Sequence, residues 1–348
     1  MKRLLAAVRG FFARLFRRAP APGRFESGTA GALQGWVGTA PLVLPRRDYL
    51  VYVPRGHRRF GRRPPIVVLC HGCRQTPEDF AAATRIADAA DANGWLVLLP
   101  RQKDDANAWR CWNWFDARTS RGAGESAIVL AQVDDVRREH RGDGDRVVVA
   151  GLSAGGALAA AIGVRHADRV RGVFVHSGLA CGAAALPADA LRVMRQGPDV
   201  DVVAIATEAR RGRPSPQPVA LCVVHGDDDD VVAPRNAAAL VRQFLALNGH
   251  PALARGGSSA AADGLPAAGL PAAGDLPLPD RETRDTLASG RIVTTREWVD
   301  AGRLVVRYVA VAGLGHAWSG GDDAFAYNDP LPPSATEILA RFAAEVAG

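Results

Sequence analysis

Short apolar runs alternate with alanine-rich stretches along most of the chain. The runs are rich in valine, leucine and isoleucine, whereas stretches such as 77–93 and 125–138 have the composition of helices. Strands that alternate with helices predict an α/β fold, in which a mainly parallel central sheet is covered by helices on both faces. The predicted strands of this sheet are 49–53, 66–69, 96–98, 147–150, 173–175 and 221–224.

The N-terminal residues have a different pattern, that of an amphipathic basic helix. Leucine, valine and phenylalanine recur at helical spacing over residues 2–18, and the arginines fall mostly on the opposite side. Such helices lie on membranes or other apolar surfaces, although the same pattern suits a helix packed on a folded domain. Ala-Pro-Ala-Pro-Gly at 19–23 ends the helix. We predict a helix with its linker at 1–22 and a folded domain at 35–348.

Residues 253–290 interrupt the alternation of strands and helices. Glycine, alanine, proline, serine and aspartate dominate this segment, which contains the near-repeat GLPAAG. It lacks the periodic apolar residues that a core requires, so we predict a disordered insertion. Two strands, 291–299 and 304–309, are predicted after it, joined by a turn at Asp300-Ala301-Gly302.

Composition and charge narrow the classes of function. The chain has 348 residues, of which 48% are apolar, and a net charge of +7. No nucleic-acid-binding motif accompanies the basic residues, so we predict no nucleic-acid partner. No uninterrupted run of 18 apolar residues predicts a transmembrane helix, and arginines break the apolar stretch that a signal peptide needs. We expect a cytoplasmic protein that keeps its N-terminal segment, with secretion as the alternative.

The chain has five cysteines, an odd number, and they are widely spread along the sequence. Cys70 and Cys73 form a CxxC pair, but no second pair lies at the spacing of a zinc site. We therefore predict no metal site. The catalytic residues predicted below require no organic cofactor. One disulfide with three remaining thiols is compatible with this count.

The strongest local motif is Gly151-Leu152-Ser153-Ala154-Gly155, a GxSxG sequence. It follows a strand rich in valine and precedes an alanine-rich helix, which is the context of a nucleophile elbow. Serine lies there at a sharp turn, and the glycines allow backbone segments to approach closely. The motif predicts Ser153 as a nucleophile.

A serine hydroxyl needs a base, and the base needs a group that orients it. In folds with this elbow the chain order is serine, acid, histidine. Four aspartates at 227–230 follow a predicted strand, and one of them can orient His316, which lies in a glycine-flanked loop after the last strand. The backbone N–H groups of Cys73 and Ala154 are the natural donors of an oxyanion hole. We expect His71 to brace the loop that contains Cys73.

Seven collinear segments resemble the short-chain polyhydroxyalkanoate (poly-3-hydroxybutyrate) depolymerase family of α/β-hydrolase esterases, which is related to feruloyl and acetylxylan esterases. The segments are HGCRQTPEDF at 71–80, RCWNWF at 110–115, RGAGE at 121–125, AGLSAGGALA at 150–159, HSGL at 176–179, HGDDDDVV at 225–232 and GLGHAWSGG at 313–321. The family pattern HGxxDxxV implies that Asp229 is the acid.

The resemblance also implies which side chains surround the site. It suggests that three tryptophans, Trp112, Trp114 and Trp318, lie near the acyl site and bind substrate. Core packing is the alternative for Trp112 and Trp114. It further implies a disulfide between Cys73 and Cys111, which conflicts with a cytoplasmic location because cytoplasmic thiols are kept reduced.

The function expected from these motifs is hydrolysis of polyhydroxyalkanoate or its oligomers through an acyl-enzyme on Ser153. The alternative is a carbohydrate-acyl esterase of the feruloyl or acetylxylan type, which would use the same fold and triad. A non-catalytic protein that binds granules or membranes on a hydrolase scaffold is the third hypothesis. One hypothesis for the helix at 2–18 is that it docks on the apolar surface of a polyester granule or on a membrane and brings the esterase to its substrate.

Overall fold

Within the residues that the structure describes, the fold consists of a ten-stranded sheet, a small two-stranded sheet and helices on the two faces of the larger sheet. The computed structural model describes residues 22–32, 45–57, 63–211, 218–255 and 276–348. The strands of the sheet are β1 (Arg24–Gly31), β2 (Arg46–Val53), β3 (Pro65–Cys70), β4 (Leu96–Pro100), β5 (Asp143–Leu152), β6 (Gly172–His176), β7 (Ala220–Gly226), β8 (Arg281–Thr286), β9 (Ile292–Asp300) and β10 (Arg303–Val311). A separate two-stranded parallel sheet consists of β11 (Trp318–Ser319) and β12 (Asn328–Asp329).

Helices connect most of these strands. They are α1 (Pro77–Thr84), α2 (Ile86–Asn93), α3 (Ala117–Ser120), α4 (Gly124–Glu139), α5 (Ala154–Arg165), α6 (Pro187–Gln196), α7 (Val202–Arg211), α8 (Arg235–Asn248), α9 (Ala252–Arg255) and α10 (Ala335–Ala347). Local capping fixes where some of them begin. Thr76 accepts a hydrogen bond from the N–H of Asp79 at the start of α1, and Ser334 accepts one from the N–H of Glu337 at the start of α10. Every helix within the described ranges is too short or too polar to traverse a lipid bilayer.

The strand order is β1-β2-β4-β3-β5-β6-β7-β10-β9-β8. The six central strands, from β4 to β10, pair in parallel, and the outer strands on both sides pair antiparallel. Side chains of α4, α5 and α8 pack on one face, and those of α1, α2 and α10 pack on the other. The prediction of an α/β fold with a mainly parallel, doubly covered sheet is therefore confirmed. Burial on both faces explains why these strands are continuous apolar runs in the sequence.

The folded domain begins earlier than predicted. Strand β1 pairs antiparallel with β2 along its whole length, from Arg24 opposite Val53 to Gly31 opposite Arg46. The predicted start at residue 35 is thus wrong, because an edge strand with few buried side chains has no apolar alternation to reveal it. The predicted helix at 2–18 lies outside the described residues.

The predicted disordered insertion is also too long at its C-terminal end. Strand β8 lies within it and pairs with β9 through six residues, although all six of its side chains are exposed. Backbone hydrogen bonds to β9 hold β8 in place, and a polar sequence gives no sign of them. The helix α9 falls at the N-terminal end of the same segment, and residues 256–275 lie outside the described residues. The two strands predicted after the insertion are confirmed as β9 and β10.

Candidate active site

Ser153 lies at a sharp turn between β5 and α5. Its backbone has φ 56° and ψ −121°, a region that residues other than glycine rarely adopt. A side chain at Gly155 would place its Cβ 2.2 Å from the carbonyl oxygen of Cys70, and one at Gly151 would lie 2.3 Å from the carbonyl carbon of Gly155. Both glycines of GxSxG are therefore required by close backbone approach, as expected for a nucleophile elbow.

Asp229 and His316 form a hydrogen-bonded pair. Asp229 lies in the loop after β7, and its two carboxylate oxygens are 3.0 and 2.9 Å from Nδ1 of His316. The backbone N–H groups of Val231 and Val232 also donate to Asp229. Of the four candidate aspartates, the structure thus selects the one that the family pattern implied.

The charge of Asp229 determines which nitrogen of His316 carries the proton. Burial acts to raise the pKa of Asp229, but its hydrogen bond with His316 and the other donors around it outweigh burial and lower that pKa below its usual range. An ionised carboxylate only accepts hydrogen bonds, so Nδ1 of His316 is the protonated nitrogen when the ring is neutral. The opposite nitrogen, Nε2, is then available as a base.

His176, at the end of β6, connects the loops around the site. Its carbonyl oxygen accepts a hydrogen bond from the N–H of Ser153 at 2.9 Å, and its ring Nε2 accepts one from the N–H of Ser319 at 3.3 Å. The N–H of Asp228 donates to the carbonyl of Leu314. These contacts hold the loops of Ser153, Asp229 and His316 together at the carboxyl edge of neighbouring parallel strands, where α/β folds place their ligand sites.

His225 is a residue whose role the sequence did not reveal. It is fully buried, and its Nε2 donates a hydrogen bond to the carbonyl of Val232 while lying 3.5 Å from Asp229. Burial lowers the pKa of His225. The neutral ring therefore stabilises the loop that carries Asp229. Its separation of four residues from Asp229 is the one sequence signal that could have indicated this contact.

The loop after β3 supplies one predicted donor of the oxyanion hole. The N–H of Cys73 has no acceptor in the part of the chain that the structure describes. Ala154 is the first residue of α5, so its N–H has no acceptor within that helix. The close approach of Gly155 to the carbonyls of Cys70 and His71 brings the two segments together. Two backbone donors beside a serine can stabilise an oxyanion.

His71 braces this loop, as predicted. It is fully buried, and its Nε2 accepts a hydrogen bond from the N–H of Gln102, so that Nδ1 donates to the carbonyl of Gly72. Burial lowers the pKa of His71 to about 4, which keeps the ring neutral.

A disulfide joins Cys73 to Cys111, the pairing that the family resemblance implied. The three other cysteines, Cys70, Cys181 and Cys222, are buried free thiols. The bond ties the oxyanion loop to the segment 101–116. Cys111 is held in turn by Asn107, whose side chain donates to the carbonyl of Cys111 and accepts from its N–H.

Glu125 forms hydrogen bonds with the same segment, 101–116. Its buried carboxylate accepts hydrogen bonds from the side chain of Gln102 and from both the backbone and the side chain of Asn113. Burial raises the pKa of Glu125, against the opposing effect of these hydrogen bonds. Glu125 ends the segment RGAGE, but no local spacing indicates this contact, because the partners of Glu125 are 12 and 23 residues away.

The three tryptophans that were predicted to bind substrate are buried in the structure. Trp112, Trp114 and Trp318 are 1%, 5% and 0% exposed. Trp112 donates to the carbonyl of His71, and Trp318 donates to Thr336 and stacks on His176. They lie near the site and pack against its loops. A buried indole combines a large apolar area with an N–H that needs an acceptor, so it can fill a core and also donate a hydrogen bond.

Two other aromatic residues are exposed beside the site. Trp109 is 51% exposed, lies under the guanidinium of Arg74 and accepts a backbone hydrogen bond from the N–H of Arg74. Tyr327 is 37% exposed, and its ring meets that of His316 edge to face. No sequence motif singled out either residue. Among the described residues, no group of three or more His, Cys, Asp or Glu side chains is arranged to hold a metal ion.

Reduction of the disulfide should lower both stability and activity. A bond between residues 38 positions apart should contribute about 4 kcal/mol to the free energy of unfolding. Releasing the loop that carries Cys73 should lower kcat/KM about tenfold, less than the roughly 100-fold effect of losing an oxyanion donor. Urea unfolding and ester hydrolysis, each with and without dithiothreitol, measure the two effects.

The matched control is the double variant Cys73→Ser with Cys111→Ser. It should have the lower stability and activity in the absence of reductant, and dithiothreitol should change neither. Full activity in dithiothreitol, with both thiols titrated as free, would contradict a role for the bond in holding the loop.

Comparison with known proteins identifies the family. The family described as esterase PHB depolymerase matches residues 47–263. Poly(3-hydroxyalkanoate) depolymerase C from Paucimonas lemoignei is 29% identical over 231 residues, which cover 60% of this chain and 55% of that protein. Feruloyl esterase B from Thermothelomyces thermophilus is 28% identical over 135 residues, covering 39% and 45% of the two chains. The chain thus spans about half the length of these curated relatives.

A solved structure supports the same fold. Acetyl xylan esterase from Aspergillus awamori superposes with a TM-score of 0.59 at 18% identity, covering 77% of this chain and 88% of that one. The central parallel sheet, the elbow after β5 and the helices on both faces are those of an α/β-hydrolase. With its family match over more than half of its residues, the chain belongs to the esterase PHB depolymerase family.

Proposed function

We propose that this protein is a serine esterase that hydrolyses short-chain polyhydroxyalkanoate or its oligomers. The observation that carries the proposal is the Asp229–His316 pair, held at the same sheet edge as Ser153 and its elbow. Membership of the esterase PHB depolymerase family and the similarity to a depolymerase support the polyester as substrate.

The reaction proceeds through an acyl-enzyme. Nε2 of His316 takes the proton of Ser153 as Oγ bonds to the ester carbonyl carbon, and the N–H groups of Cys73 and Ala154 stabilise the oxyanion. Collapse of this intermediate breaks the bond to the alcohol oxygen, which receives the proton from His316. Asp229 stabilises the imidazolium that forms in between.

Water completes the cycle. His316 takes a proton from the water as its oxygen adds to the acyl carbon, and it then returns that proton to Oγ of Ser153 as the acid leaves. The products are one acid and one alcohol for each water consumed. None of these steps calls for a metal or an organic cofactor.

A carbohydrate-acyl esterase is the second candidate function. It is favoured by the similarity to feruloyl esterase B and to Acetylxylan esterase A from Emericella nidulans, which is 24% identical over 168 residues. The mechanism would be the same, so the two candidates differ only in the acyl and alcohol groups that the site accepts.

The location of the protein is a further part of the proposal. The amphipathic helix at 2–18 would dock the enzyme on the apolar surface of a polyester granule or on a membrane. The Cys73–Cys111 disulfide favours the secreted alternative over the cytoplasmic expectation, because disulfides persist in oxidising compartments.

Acid release from amorphous poly-3-hydroxybutyrate granules tests the substrate. We expect the wild type to release hydroxybutyrate or its oligomers, and Ser153→Ala to release none above background. Deletion of residues 1–22 should abolish association with granules in a sedimentation assay but spare hydrolysis of soluble esters.

A feruloyl ester and an acetylated sugar serve as the comparison substrates. If the granules are not hydrolysed and either comparison ester is cleaved rapidly, the substrate is a carbohydrate ester and not the polyester. If the deletion variant sediments with granules as the wild type does, the helix does not dock the enzyme, and the esterase proposal is unaffected. A wild type that is inert toward every ester, and unlabelled by a fluorophosphonate, would support the non-catalytic hypothesis instead.

A further inference from the structure

We propose that Tyr327 contacts the alcohol portion of the ester and determines the preference for large over small alcohols. The inference rests on the proposed esterase function, which it deepens by naming a residue that selects the leaving group. It comes from three observations: the position of Tyr327 beside His316, its exposure and the way its backbone is held.

Tyr327 presents its ring to solvent next to the base of the triad. Its ring centroid lies 6.4 Å from that of His316, with the two planes at 80°, an edge-to-face arrangement. The side chain of Tyr327 is exposed, whereas Trp112, Trp114 and Trp318 are buried. An aromatic ring that is both exposed and in contact with the catalytic histidine has a free surface for a ligand.

The backbone of Tyr327 adopts a conformation that aromatic residues rarely take. Its φ is 62°, in the left-handed region. The surrounding hydrogen bonds maintain this conformation: the carbonyl of Tyr327 accepts from the N–H of Trp318 at 2.8 Å, and β12, which follows directly, pairs with β11. Non-glycine residues held in such conformations cluster at binding and catalytic sites.

The same segment is tied to the loop of the proposed oxyanion hole. The side chain of Gln75 donates to the carbonyl of Ala326 at 3.3 Å and also accepts from the N–H of Gly72. On its other side the segment is anchored by Arg291, which forms an ion pair with Asp329 at 2.9 Å. Tyr327 is therefore fixed between the oxyanion loop and His316.

The chemistry of His316 identifies which part of the substrate lies there. After Ser153 attacks the carbonyl carbon, His316 gives its proton to the oxygen of the departing alcohol. A ring that packs against His316 consequently lies next to that alcohol, while the acyl group is bonded to Ser153. In a polyester the alcohol is the next hydroxyacyl unit, and its aliphatic surface suits contact with an aromatic face.

The test compares two esters with different alcohols, the linear 3-hydroxybutyrate trimer and methyl 3-hydroxybutyrate. Cleavage of the first ester bond of the trimer, measured by the release of monomer and dimer, transfers the same 3-hydroxybutyryl group to Ser153 as cleavage of the methyl ester. For Tyr327→Ala, kcat/KM for the trimer should fall about tenfold, and that for the methyl ester should change less than twofold. The rate of deacylation should stay the same, because the alcohol has left before water attacks. A burst experiment with an activated 3-hydroxybutyryl ester measures that rate.

Two control variants accompany Tyr327→Ala. Tyr327→Phe keeps the ring and should retain the preference for the trimer. Phe25→Ala removes an exposed ring from β1, at the far side of the sheet, and should leave both substrates unaffected. If the wild type prefers carbohydrate esters, the same comparison is made with methyl ferulate as the ester of a small alcohol and a feruloylated sugar as the ester of a large one.

An equal loss on both esters, or slower deacylation, would overturn the inference, since either result indicates that Tyr327 only supports the loop of His316. Such a result would leave the proposed esterase function standing. A wild type that hydrolyses neither pair of esters would overturn the proposed function, and the inference with it.

Discussion

Replacing Ser153 by alanine should lower kcat for ester hydrolysis about 10⁴- to 10⁶-fold. The substitution removes the one oxygen that can bond to the acyl carbon, and leaves the oxyanion donors of Cys73 and Ala154 to supply what rate remains. The turn itself should persist, because alanine meets the same φ of 56° that serine does. Hydrolysis of a p-nitrophenyl ester measures the loss, and thermal unfolding shows that the fold is retained.

Covalent labelling separates loss of the nucleophile from loss of the fold. A fluorophosphonate probe should label the wild type at Ser153 and leave Ser153→Ala unlabelled. Ser289→Ala, a variant of an exposed serine next to β9, should be labelled and active like the wild type. Retained hydrolysis by Ser153→Ala, or a label found on another residue, would exclude Ser153 as the nucleophile.

Replacing Asp229 by asparagine should lower kcat about 10⁴-fold. Asparagine has nearly the same volume, but it carries no charge to stabilise the imidazolium of His316. Its amide can also donate to Nδ1, which favours the neutral form with the proton on Nε2, where the base is required. Rates measured with a saturating soluble ester would show the effect on kcat separately from binding.

Asp230→Asn is the matched control for this variant. Asp230 lies in the same loop, but its side chain is exposed, whereas that of Asp229 is buried against His316. We expect its kcat to change less than twofold. Equal losses in the two variants would indicate that the charge of the whole loop matters, and would remove the special role of Asp229.

The sequence predicted the centre of the fold and the triad because both depend on local patterns. Parallel strands buried on both faces are continuous apolar runs, and the runs predicted around 66–69, 96–98 and 147–150 became β3, β4 and β5. The elbow is specified by neighbouring residues, Gly151 to Gly155. Chain order then restricted the acid and the base to the loops after the later strands.

Residues that act through distant contacts could not be predicted in the same way. The side chain of Gln75 reaches Ala326 across 251 positions, so no spacing in the sequence connects Tyr327 with the oxyanion loop. The burial of the three tryptophans has the same cause: their family motifs indicated proximity to the site, but burial depends on packing against residues that are distant in the sequence. Trp318, for example, packs against Phe80 of α1 and against Phe174 and His176 of β6.

The polar composition of β8 has a consequence for self-association. An edge strand exposes unpaired backbone N–H and C=O groups, to which a strand of another chain can add. Four of the six residues of β8 are charged, in the order Arg281, Glu282, Arg284 and Asp285, and all are exposed. An incoming strand would have to desolvate these charges or meet like ones. The charged side chains of β8 thus oppose the addition of a further strand at this edge of the sheet, and with it aggregation through that edge.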